Sequence, residues 1–296
     1  MSVSFYISNN SIKAVCGKSG RKKVIVRNAY RENIPEGLII NGIITDETAL
    51  EKMLENFRLK HNLPCKDAGL VISGKDVLCK TIRIPPASVH NILKLVRSEY
   101  SDLENPENYI FDYTVINPEN DDKTASVLAC AADRDMIASY VSLFQSAGIK
   151  LSSVNADVNA QIKLMRNFMG LEKSTYLLAV VNGNMLSVTL FAGGLFIFSN
   201  RSRLMEERST EAVINEFARI ISSFMQFSKA QKNKSEITDV YFCGMSKYES
   251  AMCGQISSLL EINVSSLPEC PISVVSYDSN FSISEYIYCV GNLIKL

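Results

Sequence analysis

Cysteine and histidine are the residue types in this chain that most often bind metals or act as nucleophiles. The chain has eight cysteines and two histidines, His61 and His90. No two cysteines form a Cys-x-x-Cys pair, and neither histidine lies near a cluster of cysteines, which argues against a zinc site. The sequence also lacks P-loop, Gly-x-Ser-x-Gly and His-Glu-x-x-His motifs.

The cysteines occur mostly in apolar runs, for example around Cys79, Cys130 and Cys243. A reduced cysteine in such a run behaves as a small hydrophobic residue, so we predict buried thiols without a chemical role. The first residues contain no apolar stretch of signal-peptide length. We therefore predict a cytoplasmic protein.

The overall composition is that of a globular protein. The 296 residues are 47% apolar and carry 31 basic and 31 acidic side chains. This apolar content excludes a disordered chain. The zero net charge provides no general attraction for nucleic acid. No window approaches the roughly 18 consecutive apolar residues of a membrane-spanning helix, and the length suits one large or two ordinary domains.

Strand and turn signals alternate with helical periodicity in two successive blocks. Each block begins with strands joined by turns and continues with helices and further strands. Helical spacing of apolar residues predicts helices over 88–100 and 209–231, among others. We therefore predict two related α/β halves, 1–172 and 173–296. The first contains a small αβ insert over about 67–149, and the C-terminal helix is expected to pack back on the first half.

Several segments, in the right order, resemble the actin-like ATPase superfamily and, more narrowly, the PilM family of type IV pilus assembly proteins. The resemblance covers nearly the whole chain. It is carried by the segments YISNNSIK, PEGLIINGIITD, ASVLACAADRDMIASYVSLFQSAGIKLSSVNADVNA, DVYFCGMSKYESAMCGQISSLLEINV and YCVGNLIKL. It implies a two-lobed actin-like (ribonuclease H-like) α/β fold, with a small αβ insert subdomain in the first lobe.

In the resembled superfamily, several turns hold ATP with Mg²⁺ through backbone N–H groups and carboxylates. The first of these loops corresponds here to YISNNSIK and the second to VVNGNMLSV. The resemblance assigns this cofactor site to the following residues: Ser8, Asn9, Asn10, Ser11, Lys13, Asp157, Asn182, Gly183, Asn184, Gly244 and Met245. Their amide and backbone N–H groups could donate to a nucleotide, so binding without hydrolysis is one alternative. The alternative is that they form tight turns only, because Asn and Gly are favoured there.

The sequence departs from the superfamily pattern at the positions that would hold the metal ion. Tyr6 stands where the first loop has an Asp, and Val180 where the second loop has one. Neither side chain neutralises Mg²⁺, so we expect no ATP hydrolysis. An ATP-binding ATPase of the same machinery remains the alternative.

The resemblance also implies a partner. In the PilM family, the insert borders a cleft that takes the cytoplasmic N-terminal peptide of PilN, a membrane protein with one spanning segment. The candidate contact residues here are Leu93, Val96, Tyr100, Tyr109, Phe111 and Tyr113. The alternative is that they fill the core of the insert. The implied function is that of a cytoplasmic adaptor, attached to the inner membrane through its partner, in a pilus or type II secretion-like machine. The sequence does not decide whether the chain forms a homo-oligomer.

Overall fold

The computed structural model describes residues 2–20, 23–85, 88–117, 124–230, 236–270 and 273–294. The strands are β1 (Ser2–Ile7), β2 (Ser11–Gly20), β3 (Lys23–Asn33), β4 (Ile39–Ile40), β5 (Ile43–Ile44), β6 (Ala68–Ile72), β7 (Val77–Ile84), β8 (Tyr109–Asn117), β9 (Ala125–Asp133), β10 (Leu151–Ala156), β11 (Tyr176–Asn182), β12 (Met185–Ala192), β13 (Leu195–Arg203), β14 (Asp239–Cys243), β15 (Asn263–Ser266) and β16 (Val274–Ser276). The α-helices are α1 (Glu47–Lys60), α2 (Val89–Ser98), α3 (Arg134–Ser146), α4 (Asp157–Arg166), α5 (Ala212–Ala230), α6 (Lys247–Ala251), α7 (Cys253–Leu260) and α8 (Ile287–Leu293), and a 3₁₀ helix spans Pro106–Asn108.

Internal contacts divide the chain into two compact units. Unit 1 comprises the described residues of Met1–Leu164, Val274–Ser279 and Tyr288–Leu296, and unit 2 those of Met165–Ser273 and Asn280–Ile287. These units differ from the predicted halves mainly because β16 pairs with β3 and thereby joins unit 1. The predicted lobe boundaries stay a prediction.

Unit 1 is built on a six-stranded sheet with the order β10-β6-β1-β2-β3-β16. β1 and β2 form an antiparallel hairpin in which Ile7 is opposite Ile12, and β6 lies parallel to the other edge of β1. Alternate residues of β1 therefore point to opposite faces of the sheet. Phe5 points to one face and Tyr6 to the other.

Helices α1 and α3 cover the face of this sheet to which Phe5 points. Each helix begins at an aspartate, Asp46 or Asp133, whose carboxylate accepts a hydrogen bond from a backbone N–H of the first turn. Helical spacing then directs one stripe of each helix into a common core. In that core Phe144 of α3 packs edge-on against Phe5, with ring centroids 5.1 Å apart.

The insert is a separate three-stranded sheet with the order β7-β9-β8, covered by α2. Its core consists of Ile82, Ile84, Ile92, Val96, Tyr100, Val127, Ala129 and Ala131. The insert spans about 77–133, which is narrower than the predicted 67–149. The reason is that β6 pairs in the six-stranded sheet and α3 packs on that sheet's core.

Unit 2 contains a five-stranded sheet with the order β13-β12-β11-β14-β15. Helices α5 and α7 supply Val213, Phe217, Ile221 and Ile256 to its core. The hairpin strands are antiparallel, and β14 and β15 are parallel to β11. Unit 1 has the same order in β3-β2-β1-β6-β10, so the two units share one strand arrangement. In the part of the chain described here, no helix combines the length and apolarity needed to cross a bilayer.

The contact between Phe144 and Phe5 predicts a large effect of truncation. Phe144 is fully buried, so Phe144→Ala should lower the free energy of unfolding by about 3–5 kcal/mol. Val141 lies on the same helix and is 40% exposed, so Val141→Ala should change that free energy by at most about 0.5 kcal/mol. Urea unfolding followed by circular dichroism measures both. Equal losses in the two variants would contradict this description of the core.

Candidate functional site

The first candidate loop is the turn between β1 and β2. The backbone N–H of Ser8 donates to the carbonyl of Ser11 at 3.0 Å, and the Ser8 hydroxyl donates to the Asn10 side chain at 2.8 Å. The Asn9 side-chain oxygen accepts a hydrogen bond from Gly42 N–H at 3.2 Å. The side chains of this loop thus bond to the loop itself and to the neighbouring turn.

Tyr6 is the residue for which the resemblance predicts a carboxylate. The side chain is only 2% exposed, and its ring packs against Tyr288 of α8 with centroids 4.5 Å apart. The Tyr6 hydroxyl is 3.1 Å from the hydroxyl of Ser73. Two aromatic rings therefore occupy the face of the sheet beside the first loop.

Lys13 lies on β2 and is also buried. Its backbone carbonyl accepts a hydrogen bond from the Cys289 thiol at 3.7 Å. Burial raises the pKa of that thiol to about 12, although the charge of Lys13 acts in the opposite direction. Cys289 thus stays protonated and serves to hold α8 against β2.

The connecting helix α4 begins at Asp157, which is buried and accepts a hydrogen bond from Val158 N–H at 2.8 Å. A chain of side-chain amides lies next to it. The Asn155 amide donates to Asn292 at 2.8 Å, and Asn292 donates to Ser4 at 3.0 Å. These bonds join β10, α8 and β1, so the polar groups near Asp157 position α8. Sequence reasoning did not identify Asn292.

The other two loops lie in unit 2. Gly183, in the turn between β11 and β12, has a φ of +58°, and Gly244, after β14, has a φ of +76°. A Cβ atom on Gly244 would lie 2.1 Å from the Val181 carbonyl oxygen, so only glycine fits there. Asn182 and Asn184 flank Gly183, and the Asn184 carbonyl accepts from Leu204 N–H at 2.7 Å. Met245 packs against the core of unit 2.

Arg208 connects these two loops. Its guanidinium donates to the Gly183 carbonyl at 3.3 Å and to the Gly244 carbonyl at 3.1 Å. It also donates twice to the Glu249 carboxylate, at 2.5 and 2.6 Å. A planar guanidinium suits this bidentate pairing. The predicted residues Gly183 and Gly244 are thus brought together by a cation that sequence reasoning missed.

Glu249 is 4% exposed and lies in the first turn of α6. Its carboxylate accepts a hydrogen bond from Ser246 N–H at 2.8 Å, and the Ser246 hydroxyl accepts from Glu249 N–H at 3.3 Å. This reciprocal pair is a capping box, and the spacing Ser-x-x-Glu could have been recognised in the sequence. Burial alone raises the pKa of the carboxyl, but the hydrogen bonds from Arg208 and Ser246 outweigh it and lower the pKa.

The chemistry available in these loops follows from their side chains. Among the predicted cofactor residues Asp157 carries a carboxylate, whereas the loop residues 8–11, 182–184 and 244–245 carry none that could hold Mg²⁺. Two carbonyl oxygens of the unit 2 loops already accept hydrogen bonds from Arg208. Over the ranges that the structure describes, no group of three or more His, Cys, Asp or Glu side chains is arranged to hold a metal ion.

The predicted partner residues divide into two groups. Val96 is fully buried, and Tyr100 donates its hydroxyl to the backbone carbonyl of Ala129 at 2.9 Å. Both therefore belong to the core of the insert, and burial raises the pKa of the Tyr100 hydroxyl. The remaining four, Leu93, Tyr109, Phe111 and Tyr113, are partly exposed.

Two cations lie against aromatic rings of the insert. The Lys80 ammonium is 4.4 Å from the centre of the Tyr100 ring and pairs with Glu99 at 3.6 Å. The Arg97 guanidinium is 5.7 Å from the centre of the Phe111 ring. Aromatic and basic groups are therefore adjacent on this side of the insert, which suits contacts with an extended peptide.

The lowered pKa of Glu249 predicts a pH-dependent effect of its substitution. The charged carboxylate stabilises unit 2 above its unfolded pKa of about 4.3, and this stabilisation is lost as the pH falls through the lower folded pKa. Glu249→Gln should therefore reduce the free energy of unfolding at neutral pH by about 1.5–3 kcal/mol. The difference from the wild type should shrink below about pH 4.

Chemical unfolding over a pH series measures this difference. Glu207→Gln is the matched control, because Glu207 is exposed in the segment that carries Arg208. The ion pair would not have the assigned role if Glu249→Gln and Glu207→Gln had the same stability at every pH.

Comparisons with known proteins identify relatives. The sequence profile of the family described as "Type IV pilus assembly protein PilM" matches residues 5–266. A structure solved as a "PilM-PilN type IV pilus biogenesis complex" is similar to this chain with a TM-score of 0.78 and 15% identity, covering 99% of this chain and 97% of that chain. Comparison with curated proteins finds no match.

Two further solved structures share the fold. One is a Bacteroides thetaiotaomicron protein of actin-like ATPase fold and unknown function, with a TM-score of 0.53 and 11% identity over 97% of this chain and 94% of that chain. The other is the cytoplasmic domain of EpsL, an inner membrane component of the Vibrio cholerae type II secretion system. Its TM-score is 0.50 and its identity 12%, over 96% of this chain and 92% of that chain.

The predicted actin-like α/β fold with a small insert is confirmed by these similarities. The resemblance read from short sequence segments is confirmed by the profile match, which extends over most of the chain. This chain therefore belongs to the PilM family of type IV pilus assembly proteins.

Proposed function

We propose that this chain is a cytoplasmic adaptor of a pilus or secretion-type assembly platform, which binds the N-terminal peptide of a PilN-like membrane protein and does not hydrolyse ATP. The observation that carries the proposal is the fold similarity, over 99% of the chain, to a protein solved in a PilM-PilN complex. The family match to PilM supports the same role.

The side chains in the candidate nucleotide loops support an adaptor role without ATP hydrolysis. A nucleotide with Mg²⁺ needs carboxylates for the metal ion and free N–H donors for the phosphates. In unit 1 the carboxylate position holds the buried ring of Tyr6. In unit 2 the Gly244 N–H already donates to the Ser284 hydroxyl at 3.1 Å, and Arg208 donates to the carbonyls of Gly183 and Gly244. The groups of these loops are thus bonded within the protein, which suits a structural role better than binding of a Mg-nucleotide.

The insert offers the contact surface for the peptide. We assign the contacts to the partly exposed Leu93, Tyr109, Phe111 and Tyr113. The last three lie on β8, an edge strand of the insert sheet, and an extended peptide can bind beside such a strand through backbone hydrogen bonds and side-chain contacts. Val96 and Tyr100 would support this surface from the core.

The partner would also determine where the adaptor acts. The chain has no net charge, so an anionic membrane surface attracts it weakly. In this proposal the membrane protein recruits the chain to the cytoplasmic face of the inner membrane.

The hydrogen bonds made within the candidate nucleotide loops predict that Mg-ATP neither binds nor is hydrolysed. A ligand present at 100 times its Kd stabilises a protein by about 2.7 kcal/mol, which raises the Tm by several degrees. Millimolar Mg-ATP should leave the Tm of this chain unchanged and release no phosphate above background. A nucleotide-hydrolysing actin-like protein, measured alongside, provides the positive control.

A rise in Tm together with phosphate release would favour the second candidate function, an ATP-binding actin-like ATPase of the same machinery. The actin-like ATPase fold of the structural neighbours is the observation behind that candidate.

Peptide binding predicts a difference between the two faces of β8. Tyr113 lies on the face that packs towards α2, whereas Ile110 lies on the opposite face and is 39% exposed. Tyr113→Ala should weaken binding of the PilN-like N-terminal peptide about tenfold, as expected for loss of an aromatic contact. Ile110→Ala should change the Kd by less than about twofold. Fluorescence anisotropy with labelled peptide measures both constants.

Two outcomes would overturn the assigned surface. Equal weakening by both substitutions would mean that the face of β8 towards α2 is not the contact site. The absence of saturable binding to the wild-type chain at high micromolar peptide would reject the adaptor role itself.

A further inference from the structure

Two cysteines of the insert lie directly opposite each other on neighbouring strands. Cys79 of β7 pairs with Cys130 of β9 in the antiparallel register, and their sulfur atoms are 3.2 Å apart. Directly opposed residues of antiparallel strands have Cα atoms about 4.5–5.5 Å apart. That distance lies within the range of about 4.4–6.8 Å found across disulfides. The backbone therefore already has the spacing that a disulfide requires.

Both side chains lie on the face of the insert sheet that points away from α2. The core of the insert takes Ile82 and Ile84 from β7 and Val127, Ala129 and Ala131 from β9. Alternation along each strand places Cys79 and Cys130 on the other face. Both are only partly buried, so a small oxidant can reach them. The prediction that the cysteines would be buried is therefore wrong for this pair.

No other cysteine among the described residues combines partial exposure with a thiol directly opposite on a neighbouring strand. Cys16 and Cys289 are buried, and burial raises their pKa values to about 11 and about 12, which keeps them protonated. Cys65 is exposed, and its sulfur accepts a hydrogen bond from the Arg58 guanidinium at 3.5 Å. Cys65 therefore serves as a control for accessibility without a neighbouring thiol.

We propose that Cys79 and Cys130 form a redox modification site, at which a low-molecular-weight disulfide such as oxidised glutathione converts the two thiols reversibly into a disulfide. This inference does not depend on the proposed adaptor function. It rests on the strand register, the distance between the sulfur atoms and their partial exposure.

The reaction is a pair of thiol–disulfide exchanges. One protein thiol loses its proton, and its sulfur attacks glutathione disulfide, which forms a mixed disulfide and expels one glutathione thiolate. The second protein thiolate then attacks the protein sulfur of the mixed disulfide and expels the other glutathione. The two protein thiols are oxidised by two electrons, and one glutathione disulfide is reduced to two glutathione thiols, which take up the two protons.

The disulfide would connect an edge strand of the insert to its central strand. The closed loop contains α2 and β8, so oxidation would restrict the unfolded chain over most of the insert. We expect the oxidised protein to melt several degrees higher and the backbone amides of β7 to exchange hydrogen more slowly.

The test uses the full chain in buffers with increasing ratios of oxidised to reduced glutathione. Thiols are then blocked in denaturant, and the protein is analysed by mass spectrometry before and after digestion. The wild type should lose two reactive thiols and yield a peptide cross-linked between Cys79 and Cys130. Dithiothreitol should restore both thiols. Cys65→Ser should behave in the same way and show the same rise in Tm.

Cys79→Ser and Cys130→Ser each remove one partner and should give neither the cross-linked peptide nor the rise in Tm. Because they lie on different strands, a folding defect in one variant leaves the other as the test. The proposal is overturned if the wild type retains all eight reactive thiols in excess oxidised glutathione. It is equally overturned if the cross-link joins a different pair of cysteines.

Discussion

A buried carboxylate requires compensation of its charge, and this requirement at Glu249 organises the loops of unit 2. Arg208 provides the compensation through two hydrogen bonds, and the rest of its guanidinium binds the carbonyls of Gly183 and Gly244. The same carboxylate caps the start of α6. One ion pair thus fixes a hairpin turn, the end of a strand and the start of a helix.

In unit 1, aromatic rings and side-chain amides hold α8 beside the first loop. Tyr6 and Tyr288 pack against each other, and side-chain amides connect Asn155, Asn292 and Ser4. Burial of an aromatic pair stabilises this arrangement without any bound ligand. Tyr6 therefore contributes to the packing of α8 at the position where the resemblance predicts a carboxylate. This packing is compatible with the adaptor role that we propose.

Sequence patterns predicted the helices well, but they did not predict which distant residues contact each other. The helices expected over 88–100 and 209–231 are α2 (Val89–Ser98) and α5 (Ala212–Ala230), because helical periodicity is a local property. The turn at Gly183 was also readable from the Asn-Gly pair. Arg208 was missed because its partners lie far away in the sequence. The contact of Cys79 with Cys130 depends on strand register, which a single sequence does not reveal.

In the adaptor that we propose, side chains of the chain itself occupy the loops in which the actin-like superfamily holds nucleotide. Amide chemical shifts of Asn9, Gly183 and Gly244 test it most directly, because each reports on one of the three loops. In a titration of isotopically labelled protein with Mg-ATP to millimolar concentration, all three signals should keep their positions. Saturable shifts of these three amides with one common Kd would contradict the occupation of the loops by the chain's own side chains.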